Sequence, residues 1–473
     1  MIRTRFAPSP TGFAHVGNIR TALFAFLVAK HGDGKFILRL EDTDKNREVT
    51  GSDSYILNAV KTLEINYDEG PDNGGPFAPY RQSERLETYK RWAEKLIESD
   101  RAYADPYTPE EIQKFREEAQ ATKKPFLYRN HRPKNPPKWD GSQPLRFKSD
   151  PKDYTWDDAV MGELHAGAEA IDDFVLVKSD GYPTYNFAHI VDDAEMEITH
   201  VIRGQEFISS TPNYLNLYEA LKIDRPILAS VPHIMNETGN KKLGKRDGAK
   251  DVMEYINEGF LVEAIDNFIA SMGWNDGTEQ EVFSMDELIS KFDLDRVGRS
   301  GARFDEKRLI WLNGQWMKKL EISDLSERAK SFWGENGQNA SSERQLEILT
   351  IVRDRLKTLS DLPALSEYFF ERPTPDWSMI ENNKQLSKLS KDQLINLLKI
   401  VAARLKTSDW SGDNIQDLLN NLLEETNTKP VQLFSIIRFA LTWAPFSPGL
   451  VEIAMLLGKD ETIYRINFAI ENA

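Results

Sequence analysis

Apolar and polar positions divide the 473-residue chain into a mixed front and a helical rear. The run Ile2 to Phe6 has the length of a buried strand. A turn broken by Pro8, Pro10 and Gly12 follows, and from about Gly17 the stretch through Thr21-Ala22-Leu23-Phe24-Ala25-Phe26-Leu27-Val28-Ala29 predicts a helix. Lys35 to Leu40 predicts the next strand. Strand, helix and strand in that order imply a parallel pair joined by a crossover. Helical spacing returns over Glu84 to Ile97 and Pro109 to Ala119, and prolines and charge interrupt it from Asn130 to Lys138. Pro144 to Lys148 and Phe174 to Val177 predict short strands of an inserted domain. The first fold resumes over Tyr185 to Arg203 and the helix-like Asn213 to Leu221. Asp251 to Leu312 reads as short helices, interrupted by Gly273-Trp274-Asn275-Asp276-Gly277. Beyond about Glu321, helical spacing dominates over Glu343 to Leu359, Lys391 to Leu405 and Val431 to Leu441, with breaks at Asn427 to Pro430 and Pro445 to Gly449.

Composition narrows this picture. The length exceeds what one hydrophobic core serves, so about two to four domains are expected. No apolar run approaches the roughly 18 residues of a membrane-spanning helix, and the N-terminus lacks the order of a secretion signal, so a cytoplasmic location is expected. The absence of cysteine removes disulfides and thiolate metal sites. A formal net charge of −15 opposes indiscriminate phosphate binding, yet positive charge is concentrated locally. Lys123, Lys124, Arg129, Arg132, Lys134 and Lys138 share a segment with no Asp or Glu, with Tyr128 inside it and Trp139 at its edge. Such a segment can line an RNA backbone or stack an unpaired base. On composition alone it also reads as a solvated Pro-rich loop.

Two separated elements suit a nucleotide triphosphate. Arg5-Phe6-Ala7-Pro8-Ser9-Pro10-Thr11-Gly12-Phe13-Ala14-His15-Val16-Gly17-Asn18 leads from the first strand into the first helix. This puts an imidazole at a helix mouth, where free N–H groups and the dipole favour phosphate. More than two hundred residues downstream, Lys241-Lys242-Leu243-Gly244-Lys245-Arg246 offers a second, cationic loop. Neither is a Walker loop or a dinucleotide turn.

Together these elements resemble the class I aminoacyl-tRNA synthetases, in the bacterial-type glutamyl branch. His15-Val16-Gly17-Asn18 matches the first signature of that family. Lys242-Leu243-Gly244-Lys245-Arg246 matches the second, with Gly244 where serine is usual. Leu38-Arg39-Leu40-Glu41-Asp42-Thr43-Asp44, Ser179-Asp180-Gly181-Tyr182-Pro183-Thr184-Tyr185-Asn186-Phe187-Ala188, Val201-Ile202-Arg203-Gly204 and Trp311-Leu312-Asn313-Gly314 extend the likeness over nearly the whole chain. The resemblance implies an α/β chain: a Rossmann-like catalytic domain over 1–83 and 185–250, split by a tRNA acceptor-binding insertion over 84–184. A stem-contact domain over 251–320 and a helical anticodon-binding domain over 321–473 follow. The helical rear separates it from the glutaminyl branch, whose anticodon region is largely β-barrel.

The implied reaction joins L-glutamate to the 3′ end of tRNA(Glu) through a glutamyl-adenylate, releasing AMP and pyrophosphate, with bound tRNA required to arrange the site. tRNA(Gln) is an alternative second substrate. His15, Lys242 and Lys245 would be catalytic, and Gly12, Gly17, Asn18 and Arg246 would join them around ATP. Arg5, Ser9, Glu41, Tyr185, His189 and Arg203 would hold glutamate, His189 standing where asparagine is common. For an arbitrary Arg or Glu, ordinary surface pairing, for instance of Arg39 or Arg203 with Glu41 or Asp42, is the competing reading. The basic segment would meet the acceptor end, and Arg353, Arg355, Arg438 and Trp443 are candidate anticodon readers. Some relatives carry zinc near a Cys-x-Cys. Here that stretch is Ala102-Tyr103-Ala104-Asp105-Pro106-Tyr107, so structural zinc is not expected, whereas Mg2+ would come with ATP. A monomer is expected.

Overall fold

The computed structural model describes the whole chain except residues 13, 14, 245–249 and 445. It divides into two compact units, Met1–Tyr255 with Ile265–Glu306, and Ile256–Ala264 with Lys307–Ala473.

In the first unit β1 (Arg3–Phe6) and β2 (Lys35–Leu38) pair in parallel, with α1 (Val16–His31) as the crossover. Ile19, Leu23, Phe24, Phe26 and Leu27 are all buried, so α1 is apolar on more than one side and serves as a core helix. After α2 (Ser52–Thr62) the chain leaves this layer through α3 (Leu86–Glu98), β3 (Ala102–Ala104) and α4 (Pro109–Ala121). β4 (Leu145–Phe147) pairs antiparallel with β3 and with the later β7 (Val175–Val177), forming a three-stranded sheet. Tyr89, Trp92, Ala93 and Leu96 of α3 cluster with Phe147 and Leu176 of that sheet.

Between β4 and β7 lies a hairpin absent from the sequence prediction, β5 (Tyr154–Asp158) and β6 (Gly162–Ala166). The chain then returns through α5 (Tyr185–Glu195), β8 (His200–Gly204), α6 (Thr211–Leu221) and β9 (Ile227–Val231). β8 and β9 are parallel, and β5 bridges to β9 at Asp158 and Leu228, giving the sheet order β6-β5-β9-β8. The Thr199 amide donates to the Arg3 carbonyl at 2.9 Å, which starts β8 beside β1. The hairpin inside 84–184 therefore shares a sheet with strands of the returning α/β layer.

The second unit is helical and has no strand among its described residues. Lys391–Thr407 and Lys459–Glu471 contribute Leu398, Val401 and Ile466 to its core. The helix expected over Glu343 to Leu359 ends at Val352. Downstream, the Asp361 carboxylate accepts from the Lys357 and Thr358 amides at 2.9 Å and caps a separate turn over Leu359–Asp361.

Candidate active site

The C-terminal ends of the first unit's parallel strands and the loops after them carry the site, as expected for an open α/β sheet. Arg5 is the next-to-last residue of β1 and Ser9 lies in the turn beyond it. Glu41 follows β2, Tyr185 opens α5, and Arg203 is near the end of β8. A cavity of about 330 Å³ gathers these with His15, Gly17, Asn18 and Lys242. Gly12 is not in its lining, and a Cβ added there would meet open space. Gly17 is constrained: a Cβ would come within 3.0 Å of the His15 imidazole.

At one end of the cavity the charges are buried. Arg5 Nε donates to Asp193 at 3.0 Å, Arg39 Nη1 to the same oxygen at 2.8 Å, and Arg39 Nη2 to Glu41 at 2.9 Å. Burial disfavours the Asp193 anion, but Arg5 and Arg39 outweigh it and hold its carboxyl down at about 2. For Glu41 burial prevails over Arg39 and Arg5 and pushes the carboxyl up to about 7. Burial also holds the Tyr185 hydroxyl above its usual range, so it remains a neutral donor.

Arg203 differs from these groups. It is 6% exposed and donates from Nη2 to Thr211 Oγ1 at 3.0 Å, while its Nε has no hydrogen-bond partner. It takes part in no ion pair among the described residues. His189, expected with the glutamate-binding residues, is placed behind Tyr185. It is 1% exposed and does not line the cavity. Instead, its ring stacks on Tyr185 with centroids 4.7 Å apart, meets Tyr214 edge-on, and has Nδ1 2.7 Å from the Tyr185 carbonyl. Burial pushes its pKa down to about 3, so the imidazole is neutral and supports Tyr185 from behind.

At the other end His15 caps α1, its Nδ1 accepting from the Gly17 amide at 3.1 Å. Lys242 stands 3.6 Å from Glu206, and His233 stands at the same distance from that carboxylate. Lys245 and Arg246 lie outside the described residues. Arg20, which the motifs did not single out, also lines the cavity. It is buried, donates to the carbonyls of Met272 and Pro232, and is lowered to about 10 by burial, against the pull of Glu206. A signal for it existed, since it is the single charge within the apolar run Val16 to Ala29.

The class I (E and Q) tRNA synthetase catalytic domain matches residues 1–311, and an anticodon-binding domain matches residues 324–470. The chain belongs to the class I (E and Q) tRNA synthetases. It is 38% identical to a glutamate–tRNA ligase of Clostridium acetobutylicum, over 99% of this chain and 98% of that one. A glutamate–tRNA ligase of Clostridium botulinum is 39% identical over the same shares. The crystal structure of a glutamate tRNA ligase from Elizabethkingia meningosepticum in complex with its amino acid superposes with a TM-score of 0.88 at 35% identity, covering 99% of both chains.

Away from the cavity, the synthetase redistributes the expected RNA contacts. In the basic segment Lys123, Lys124, Lys134 and Lys138 are exposed. Arg132 is instead a two-pronged partner of Asp173, at 2.7 and 2.6 Å, and also donates to the Ser149 carbonyl. Arg129 donates to the Ala168 carbonyl. The segment lacks acids of its own, but Asp172 and Asp173 reach it from elsewhere in the chain, Asp172 accepting from the backbone amides of Tyr128 and Arg129. Lys134, Lys138 and Trp139 border a groove of about 360 Å³. In the stretch 102–107 Asp105 is the single acid, and it accepts from Tyr128 and Arg146. Among the described residues no group of three or more His, Asp or Glu could hold a metal.

In the helical unit Arg355 is exposed and Arg353 and Arg438 are half-buried. Burial, and then Arg355, hold Arg438 below the usual arginine value. Trp443 does not present its ring for stacking. It closes the helix Pro430–Thr442 in a left-handed conformation with φ of 43°, 9% exposed, its ring 6.2 Å from Trp377. Three residues on, Phe446 is 75% exposed.

Proposed function

We propose that this synthetase is a glutamate–tRNA ligase, joining L-glutamate to the 3′ end of tRNA(Glu) through a glutamyl-adenylate with release of AMP and pyrophosphate. The observation that carries the choice of amino acid is Arg203. A buried cation without a counter-ion is costly, and a ligand bringing a carboxylate relieves that cost where an amide does not. The glutamate ligases above support the same reading.

In this reading Arg5 and Arg203 take the two acidic ends of the substrate, and Glu41 takes its ammonium. Ser9 and the neutral Tyr185 hydroxyl donate hydrogen bonds. The bound carboxylate attacks the α-phosphorus, and negative charge grows on the phosphoryl oxygens. His15 at the mouth of α1, with Lys242, Lys245 and Arg246, stabilises that charge, while Gly17 and Asn18 border the nucleotide. Mg2+ would come with the ATP and would supply charge neutralisation on the leaving pyrophosphate. The exposed lysines of the basic segment meet the acceptor end, and Arg353, Arg355 and Arg438 read anticodon bases.

The functional segments are 1–83 and 185–250 for catalysis, 84–184 for the acceptor end, 251–320 for stem contact and 321–473 for the anticodon. The enzyme works as a cytoplasmic monomer. No helix among its described residues is long and apolar enough to cross a membrane. Charging assays with purified tRNA(Glu) and tRNA(Gln), each with glutamate and with glutamine, test the proposal. Glutamate on tRNA(Glu) is the expected product, glutamate on tRNA(Gln) would widen the tRNA range, and glutamine on either would overturn the amino-acid assignment.

A further inference from the structure

Behind the amino-acid end of the cavity sits a carboxylate that the adenylate chemistry does not itself use. Asp193, on the inner side of α5, is 2% exposed and does not line the cavity. Its Oδ1 accepts from two guanidinium groups, Arg5 Nε at 3.0 Å and Arg39 Nη1 at 2.8 Å. Arg5 lines the cavity, and Arg39, which does not, passes its other prong to Glu41 at 2.9 Å, which does. One buried oxygen thus stands behind an anion-binding group and, one residue removed, behind the ammonium-binding group.

We infer that Asp193 is a positioning residue for amino-acid binding, aiming Arg5 directly and Glu41 through Arg39, and so fixing the separation of the two charges that read the substrate. This rests on the cavity being the glutamate pocket. The donors of Arg5 bear it out. Nε is committed to Asp193 and Nη1 reaches the Ile202 carbonyl at 3.4 Å, so the guanidinium plane is set before a ligand arrives. Arg39 is fully buried among Glu41, Asp193 and, at 3.7 Å, Asp192, and has no open direction in which to swing. In such a water-poor setting two fixed bonds hold a side chain far better than an exposed pair would.

The neighbouring aspartate provides an internal control. Asp192 is also buried on the same helix, but it approaches Arg39 only at 3.7 Å and takes its hydrogen bonds from Arg85 Nε at 2.7 Å and from Gln82 and Tyr89 at 2.8 Å, none of which lines the cavity. Its neutralisation should weaken the fold and change substrate reading far less than loss of the Asp193 charge, because its approach to Arg39 is long.

The test uses the full-length enzyme with its tRNA and follows glutamate-dependent ATP–pyrophosphate exchange. Glutamate use by the parent is established first, since its absence would overturn the proposed function rather than this inference. Asp193→Asn keeps the shape but leaves one acceptor oxygen and turns an N–H2 group toward a cation. It should raise the glutamate KM by at least about tenfold, with the ATP KM and tRNA Kd within about twofold. Asp192→Asn should leave the glutamate KM within about threefold even where its melting temperature falls as far. In an Arg5→Gln background, adding Asp193→Asn should cost less than about threefold, because much of the route by which it acts is already gone. Should Asp193→Asn fail to fold, Arg39→Lys, which keeps the charge and loses the fork, should raise the glutamate KM selectively in its place. A parent-like glutamate KM in the folded variant, a matching rise in both substrate KM values, or an undiminished effect in the Arg5→Gln background would each overturn the inference.

Discussion

At one end of the cavity Arg5, Arg39, Glu41 and Asp193 are withdrawn from water and bonded to one another, whereas at the other Lys242 and Glu206 meet only loosely in solvent. The Arg5 and Asp193 side chains are 5% and 1% exposed, 3.0 Å apart. Lys242 and Glu206 are 55% and 46% exposed, 3.6 Å apart. The first arrangement gives strong, directional electrostatics in a low dielectric, as selection among similar amino acids requires. The second contributes little as a pair and is readily exchanged for the phosphates of a triphosphate. Under the proposed function, specificity is therefore built in, and the cations for chemistry are gathered on binding. Arg203 sharpens the contrast, being a buried cation that has no anion beside it among the described residues.

The largest effect expected at the loose end comes from Lys245→Ala. Loss of a cation acting on charge that develops during adenylate formation should cost roughly 2–4 kcal/mol in the transition state, read as a fall in kcat with little change in the glutamate KM. Steady-state charging within about threefold of the parent would remove this lysine from the mechanism.

A smaller effect at the buried end is set by pH. Glu41 titrates near 7 and, in the proposed role, must be ionised to take the substrate ammonium. Its anion is lost as pH falls through that value, so the glutamate KM should rise below pH 7, by up to about tenfold per unit, and level off above it. His189, with its pKa near 3, stays neutral across this window and contributes no slope. Glu41→Gln should raise the KM and flatten the profile, and a variant with the parental slope would assign the titration elsewhere. The stability consequence has its own sign. A carboxyl raised by burial favours the fold while protonated, and that contribution fades as pH rises from the unfolded value near 4.5 through 7.

The smallest expected effect is that of Gly244→Ser, which restores a hydroxyl to the loop and removes backbone freedom. Exchange rates should change by no more than about threefold, through the ATP dependence. Identical rates and ATP dependence would show that the glycine has no kinetic consequence.

Much of this was legible where the cause is local. The strands β1 and β2, helix α1 and the rear helices announce themselves by spacing, since each apolar pattern is decided within a few residues. The hairpin β5–β6 and strand β9 did not, although Tyr154 and Trp156 alternate with outward Thr155 and Asp157. Their identity as sheet members depends on Asp158 meeting Leu228, seventy residues away. The site divides similarly. His15, Glu41, Tyr185, Arg203 and Lys242 sit in motifs and meet at one cavity. Arg39 was readable as an ordinary surface pair with Glu41; the pair exists, but its burial changes its meaning. Asp193 carries no motif, and its work follows from the two arginines that folding brings to it. His189 occupied the expected position, yet the helical spacing from Tyr185 turns it behind that ring. The basic segment hid its neutralising acids for the same reason: Asp172 and Asp173 are distant in sequence and near in space.

The central claim is that Arg203 waits in the cavity for the carboxylate of the amino acid. It is tested most directly by measuring glutamate activation and tRNA affinity side by side in Arg203→Glu. Replacing the unpaired cation by a like charge should abolish glutamate-dependent exchange while tRNA binding remains measurable through the rest of the chain. Intact glutamate activation with loss of tRNA affinity would contradict the account and move this arginine to the other substrate.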